Sequence, residues 1–330
     1  MEKLLGMLRA AGDATRLRLL LLLSKTDLTV SEIIQILGQS QPRVSRHLKL
    51  LCEAGLLERF KEGAWVFYRA VDQGKAAELA RAISALADAE HDPVLLDDKR
   101  RLTQVRAARA EEAAAYFRAN APQWERIRSL HVPEDDVERA IVRLLGRDSL
   151  GSVLDAGTGT GRMLELLSPY IKRGIGIDVS PDMLAIARDK LGQAGAFNCQ
   201  VRRGDVYRLP FADGDTKGGF DAVLFHQVLH FLDDPQAALR EAVRVLAPGG
   251  RVLIVDFAPH QLEFLRSEHA HRRLGFSDAE VQGWFKAAGL KPVAAESLAP
   301  RSGAEMLTVM VWIAETPAVE ARRQKAEAMA

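Results

Sequence analysis

Three acids stand at matching places in the chain, each at the end of a short strand-like run. Asp155 ends Ser152-Val153-Leu154 and opens the loop Ala156-Gly157-Thr158-Gly159-Thr160-Gly161. Asp178 ends Gly174-Ile175-Gly176-Ile177, and Asp205 follows Gly204 after a third short run. Glycines allow a tight strand-to-helix turn and a close approach of ligand to backbone, and the helix that follows offers free N–H groups. Asp155 would repel a pyrophosphate but attract the ammonium of an amino-acid ligand. Asp178 is placed to accept from both ribose hydroxyls and Asp205 from an adenine amino group. Unpaired acids cost solvation, so three of them at successive strand ends make sense against a neutral nucleoside bearing an ammonium. His226 and His230, beyond a fourth run Phe220–Phe225, are the candidates for proton handling.

Two further groups carry open readings. Tyr116-Phe117 and Trp124 lie just upstream of the first strand, either covering the ligand or packing in the core. His260, Glu263, Glu268, His269 and His271 fall in Ala258–Phe276, read as a helical segment whose polar residues line a pocket, hold a metal or form a solvated face.

A second constellation sits near the N-terminus. Val44, Leu48 and Leu51 recur at i, i+4 and i+7 and predict a helix over Gln41–Leu51, with Pro42 in its first turn. The opposite face then carries Gln41, Arg43, Ser45, Arg46, His47 and Lys49, side chains suited to base edges and phosphates in a major groove. Two β-like runs, Leu56–Lys61 and Ala64–Val71, flank Glu62-Gly63 and predict a hairpin bearing Arg59, Lys61 and Arg69. Ahead of them, Asp13 caps a helix whose Leu17, Leu20 and Leu21 share a face. Thr29 and Glu32 form a capping-box pattern on a shorter helix that ends at Gly38.

These groups need two folded bodies, and 330 residues exceed what one core usually serves. The expected organisation is an α+β winged helix-turn-helix over 1–91, with a helical connector or cap over 92–147. A Rossmann-like α/β domain over 148–315 and a flexible tail over 316–330 follow. From Ser152 onward short apolar strands alternate with amphipathic helices, the pattern of a parallel sheet covered on both faces. Composition is that of an ordinary globular chain, 48% apolar and 27% charged with net charge +1. Residues 1–75 hold 12 Lys/Arg against 8 Asp/Glu, an excess of four that suits a DNA-facing module. Cys52 and Cys199, the two cysteines, fall in different domains and exclude a disulfide framework, which fits a reducing cytoplasm. The longest apolar run, Leu19–Leu23, is far short of a membrane span, and Met1-Glu2-Lys3 opens an amphipathic helix rather than a signal peptide.

With these motifs in view, residues 1–90 resemble the arsenic-repressor-like (ArsR) winged-helix regulators. Gly12-Asp13-Ala14-Thr15-Arg16-Leu17-Arg18 and the Ser40–Leu51 segment carry the likeness. The resemblance implies a homodimer paired through helices at about 2–11 and 74–90, and a repressor that an effector loosens from DNA. It departs from the metal sensors of that family. Ser31–Leu37 has no cysteine where their thiolates lie, and only Asp88 and His91 stand near the end of the last helix, so no metal is expected.

Residues of roughly 110–315 resemble the class I S-adenosylmethionine-dependent methyltransferases, nearest to those of quinone biosynthesis, on the Asp-x-Gly-x-Gly-x-Gly loop, the ribose acid and Pro248-Gly249-Gly250. That resemblance implies that Asp155, Gly157, Gly159, Asp178, Met183, Asp205 and Val206 line the cofactor, with Met183 either on the adenine face or packed in the core. Together the two likenesses imply a transcriptional repressor, binding double-stranded DNA at an inverted repeat, whose effector is S-adenosylmethionine or S-adenosylhomocysteine. The alternative is a working small-molecule methyltransferase fused to its own regulator. Arsenite methylation would need several thiols, and Cys199 is the only cysteine of its domain.

Overall fold

The computed structural model describes residues 1–24, 26–62, 64–71, 74–89, 92–121, 124, 134–146, 150–214, 219–299 and 307–317. His91 and the tail beyond residue 317 lie outside them. The chain divides into two compact units, Met1–Glu112 and Ala113–Ala330.

The first unit opens with α1 (Glu2–Ala11) and α2 (Ala14–Leu23), the latter capped by Asp13, whose carboxylate accepts the Arg16 N–H at 3.0 Å. A short strand β1 (Leu28–Thr29) leads into α3 (Val30–Leu37), where Thr29 and Glu32 complete a capping box. Gly38 ends α3 at φ 65°, in the left-handed region that favours glycine. Then come α4 (Gln41–Glu53), the hairpin strands β2 (Leu57–Glu62) and β3 (Trp65–Ala70), and α5 (Gly74–Ala89). The three strands form one antiparallel sheet in the order β1-β3-β2.

On α2 the buried residues include Leu19, Leu20, Leu22 and Leu23, while Leu17 and Leu21 are only partly buried. The expected Leu17–Leu20–Leu21 stripe is therefore misplaced. The run of leucines has no polar residue to mark a wet side, and α2 packs against α1, α4, α5 and β3 at once.

The long helix α6 (Pro93–Asn120) begins in this unit: Leu102 and Val105 are buried in the same core as Leu48 and Leu51. Asp98 takes the Arg18 guanidinium through both oxygens, at 2.6 and 2.7 Å, and Arg109 pairs with Glu32. The expected boundary at residue 92 is thus not a structural one. The stretch reads in sequence as a polar connector, but these charges are spent on pairs inside the unit.

The second unit contains α7 (Glu134–Leu145), β4 (Leu150–Ala156), α8 (Arg162–Leu167), β5 (Ile171–Asp178), α9 (Pro181–Gln193) and β6 (Cys199–Arg203). After β7 (Phe220–His226) follow α10 (Pro235–Val245), β8 (Leu246–Phe257), α11 (Phe264–His269), α12 (Asp278–Ala287), β9 (Lys291–Leu298) and β10 (Val309–Glu315). The sheet order is β6-β5-β4-β7-β8-β10-β9, parallel from β6 to β8 and antiparallel for the last two strands. Apolar clusters cover both faces, one holding Val137, Ile141 and Val255, the other Ile177, Phe225 and Trp312.

α7 is therefore part of this core rather than a separate cap. Ala258–Phe276 holds only the six-residue α11 instead of a continuous helix. Thr316 is 2% exposed and its hydroxyl donates to the Ala247 carbonyl at 3.1 Å, so order extends past 315. No helix among the described residues is long and apolar enough to cross a membrane.

Candidate functional site

In the first unit, Val44, Leu48 and Leu51 bury one face of α4, and Gln41, Arg43, Ser45, Arg46 and Lys49 are exposed on the rest. His47 differs from that set. Its side chain is 13% exposed and its Nδ1 lies 3.6 Å from the Asp13 carboxylate, against the start of α2. Arg59 and Lys61 are exposed on β2. Arg69 is committed within the hairpin: its Nε lies 2.7 Å from Glu58 and its guanidinium sits 4.2 Å above the Phe60 ring. The exposed basic face among the described residues is thus the one formed by α4 and β2.

In the second unit, the glycine loop is fastened to the neighbouring strand. The N–H groups of Gly157 and Thr158 both donate to the Ile177 carbonyl, at 2.8 and 2.9 Å. Gly157 stands at φ 82°, and a Cβ there would come within 2.5 Å of a Val228 methyl, so no other residue fits. Asp155 is 1% exposed, and its carboxylate accepts the Thr158 hydroxyl at 2.6 Å. It supports the loop from below rather than standing open to a ligand's ammonium.

Asp178 lies at the end of β5, facing the loop. One oxygen accepts the Gly159 N–H at 2.9 Å and the other the Ser180 N–H at 2.8 Å. Burial raises its pKa, while the N–H groups of Ser180, Gly159 and Val179 pull the other way. Each carboxylate oxygen keeps a further lone pair, so the pair of oxygens can still accept two ribose hydroxyls. Ser180 caps α9 by accepting the Met183 N–H at 3.3 Å, and Met183 is buried in that first turn.

The Gly204 N–H donates to the Asp178 carbonyl at 3.0 Å, which brings the next strand end alongside. Asp205 is exposed there, its carboxylate accepting the Tyr207 N–H at 2.9 Å, while Val206 is 8% exposed and belongs to the apolar core. The glycine loop, Asp178 and the strand end at Asp205 are thus tied edge to edge by these hydrogen bonds.

Beyond the loop lies a pocket. Gln227 holds φ 53°, a strained value for a side-chain-bearing residue, and redirects the chain after β7. His230 is buried. Its Nδ1 lies 2.7 Å from Asp256 Oδ1, and its own N–H donates to Asp256 Oδ2 at 3.3 Å. Tyr116, Trp124, Phe231 and Phe257 supply aromatic walls, and His269 and His271 complete the polar lining. Tyr116, pushed up to about 12 by burial, places its hydroxyl 2.8 Å from His269 Nδ1. His226 stays partly buried at the end of β7 and does not line this pocket. Asp256 and Gln227 went unread in the sequence. Yet Asp256 closes the apolar run Val252–Val255 by the same strand-end rule as the other acids.

A family model of bacterial regulatory proteins of the arsR family matches residues 13–59, from the α2 cap into the wing, and a methyltransferase-domain model matches residues 154–254, from β4 to β8. The uncharacterized methyltransferase YcgJ of Bacillus subtilis is 35% identical over 108 residues, which are 32% of this chain and 41% of that protein. Demethylmenaquinone methyltransferase of Tropheryma whipplei is 36% identical over 120 residues, 36% of this chain and 47% of that one. The chain spans about half the length of the curated relatives it matches. A chain from the complex of the Haloferax volcanii Trm112 methyltransferase activator with a methyltransferase shares the fold. Its TM-score is 0.50 at 24% identity, covering 61% of this chain and 97% of that one. Methyltransferase domains of this class take S-adenosylmethionine as cofactor. Residues 13–59 of this chain thus match the arsR-family regulators and residues 154–254 match the methyltransferase domain.

Proposed function

We propose that the chain is a DNA-binding transcriptional regulator, acting as a homodimeric repressor in the cytoplasm, whose methyltransferase domain binds S-adenosylmethionine or S-adenosylhomocysteine as effector. The observation that carries the reading is the pairing of two intact sites on one chain. The exposed Gln41, Arg43, Arg46 and Lys49 of α4 suit a major groove, one helix per half-site of an inverted repeat. Asp178, held on the glycine loop by the Gly159 N–H, suits ribose hydroxyls.

Calorimetry of the whole chain with each nucleoside tests it. Saturable binding of at least one at micromolar concentration is the expected result, and no heat from either at high micromolar concentration overturns it. A second reading, a working small-molecule methyltransferase joined to its own regulator, is favoured by the His230–Asp256 pair beside the loop. Placement of a nucleophile near the sulfonium supplies much of such a reaction.

A further inference from the structure

The pocket adjoins the glycine loop, since Trp124 on its wall brings Nε1 to 3.4 Å from where a Gly159 Cβ would stand, and it is built like a site. Three buried polar atoms on its wall have no hydrogen-bond partner among the described residues: His230 Nε2, His271 Nδ1 and Gln227 Nε2. Buried polar groups are almost always satisfied, so three on one wall mark a place where water or a polar guest completes them. Among the described residues the lining contains no Lys, Arg, Asp or Glu, which disfavours phosphates, carboxylates and ammonium groups as guests. Its aromatic faces favour a flat ring.

Asp256 orients His230 as it orients a general base. With Nδ1 turned to Asp256, the free Nε2 is the nitrogen that can take a proton. The neighbouring charges agree. His271 stacks on His230 with ring centroids 4.1 Å apart and is held well below its ordinary pKa, by burial first, then by His230, His260, His269 and Arg266. It stays neutral, so it neither competes for the proton nor repels it. Arg266 on α11 is paired with Glu263, and Tyr116 on α6 stays protonated.

We propose that this pocket takes a small, uncharged planar molecule bearing one weakly acidic hydroxyl, a phenol or an enol, and that His230 accepts its proton during methyl transfer to that oxygen. The proposal rests on the methyltransferase reading. The O–H bond breaks and its proton goes to His230 Nε2. An oxygen lone pair forms the new bond to the methyl carbon. The methyl–sulfur bond breaks with its electron pair left on sulfur, so the sulfonium of S-adenosylmethionine becomes a thioether, and His230 later releases the proton to solvent. Asp256 is a positioning residue in this scheme.

The probe is 4-nitrophenol, whose absorbance separates phenol from phenolate, titrated into the full chain saturated with S-adenosylhomocysteine. Wild type is expected to bind it saturably and to raise the phenolate band at a pH below that at which the free probe ionises. His230→Gln should weaken binding about tenfold or more and abolish that shift, with S-adenosylhomocysteine affinity retained as the folding control. Asp256→Asn carries the same test, with a smaller shift, should the first variant not fold. With S-adenosylmethionine in place of the product, wild type should yield 4-nitroanisole and the His230 variant should not. No saturable probe binding by nucleoside-loaded wild type, or an unchanged shift in folded His230→Gln, overturns the proposal. Failure of wild type to bind either nucleoside overturns the underlying reading instead.

Discussion

In the proposed function Asp178 carries most of the nucleoside recognition, because both of its oxygens are already oriented by backbone N–H groups before a ligand arrives. A hydrogen bond to a charged group contributes about 1.5–3 kcal/mol, so Asp178→Ala should weaken nucleoside binding roughly 10- to 150-fold by calorimetry, and should also lower the melting midpoint because it strands the Gly159 and Ser180 N–H groups. The same carboxylate sets a pH dependence. Accepting ribose hydroxyls requires the ionised form, and burial raises its pKa. Affinity should therefore hold at neutral pH and fall as pH drops through a window above the ordinary carboxylate range. Asp178→Asn should bind weakly with no such fall. At the reader, Arg43→Ala or Arg46→Ala should cost about 1–3 kcal/mol of operator affinity where that side chain is bidentate to guanine. Titrations at several salt concentrations separate this from a phosphate contact, which lowers the salt slope instead. At this scale the sequence was legible where a residue acts from a strand end or a helix face. It was not where burial decides the role. Asp155, His47 and Val206 have the right types at the right spacing, yet packing turns the first under the loop, the second onto Asp13 and the third into the core.

Helix α6 shows what element-level patterns hide. Its first half reads as a solvated connector, but Asp98 is 3% exposed and binds Arg18 through both oxygens. Removing one partner of a buried pair strands the other charge and costs about 3–5 kcal/mol, whereas exposed pairs are worth well under 1. Asp98→Ala should accordingly lower the unfolding midpoint of the first unit sharply. Asp97→Ala, which removes the surface pairs to Arg100 and Arg101, should barely move it in the same denaturant titration. An equal, small effect of both would mean that α6 does not brace the reader. The strands follow a similar logic. β4, β5, β7 and β8 announce themselves by apolar runs because their centres are buried on both faces, unlike the edge strand β6, which reads Cys-Gln-Val-Arg-Arg. β9, an edge strand carrying Pro292 and Glu296 with alternating exposed positions, offers no such signal.

On the scale of the whole molecule, the two sites are joined by covalent continuity in α6. The helix starts among reader contacts at Asp98, Leu102 and Val105, and Tyr116 near its end lines the methyltransferase pocket. If nucleoside binding biases the conformation of that helix, operator and nucleoside must influence each other's affinity by one and the same factor. Couplings of this kind amount to about 1–3 kcal/mol, so saturating nucleoside should change operator affinity roughly 5- to 150-fold. Asp178→Ala should keep the nucleoside-free operator affinity and lose the change, because its exposed DNA face is untouched while its cradle is broken. The measurement is an operator titration with and without each nucleoside on both proteins, paired with nucleoside calorimetry in the presence and absence of operator. Equal factors from the two directions would establish the linkage. Superimposable operator curves under every condition, with nucleoside demonstrably bound, would mean that the domains share a chain without sharing free energy, and the working-enzyme reading would then take precedence.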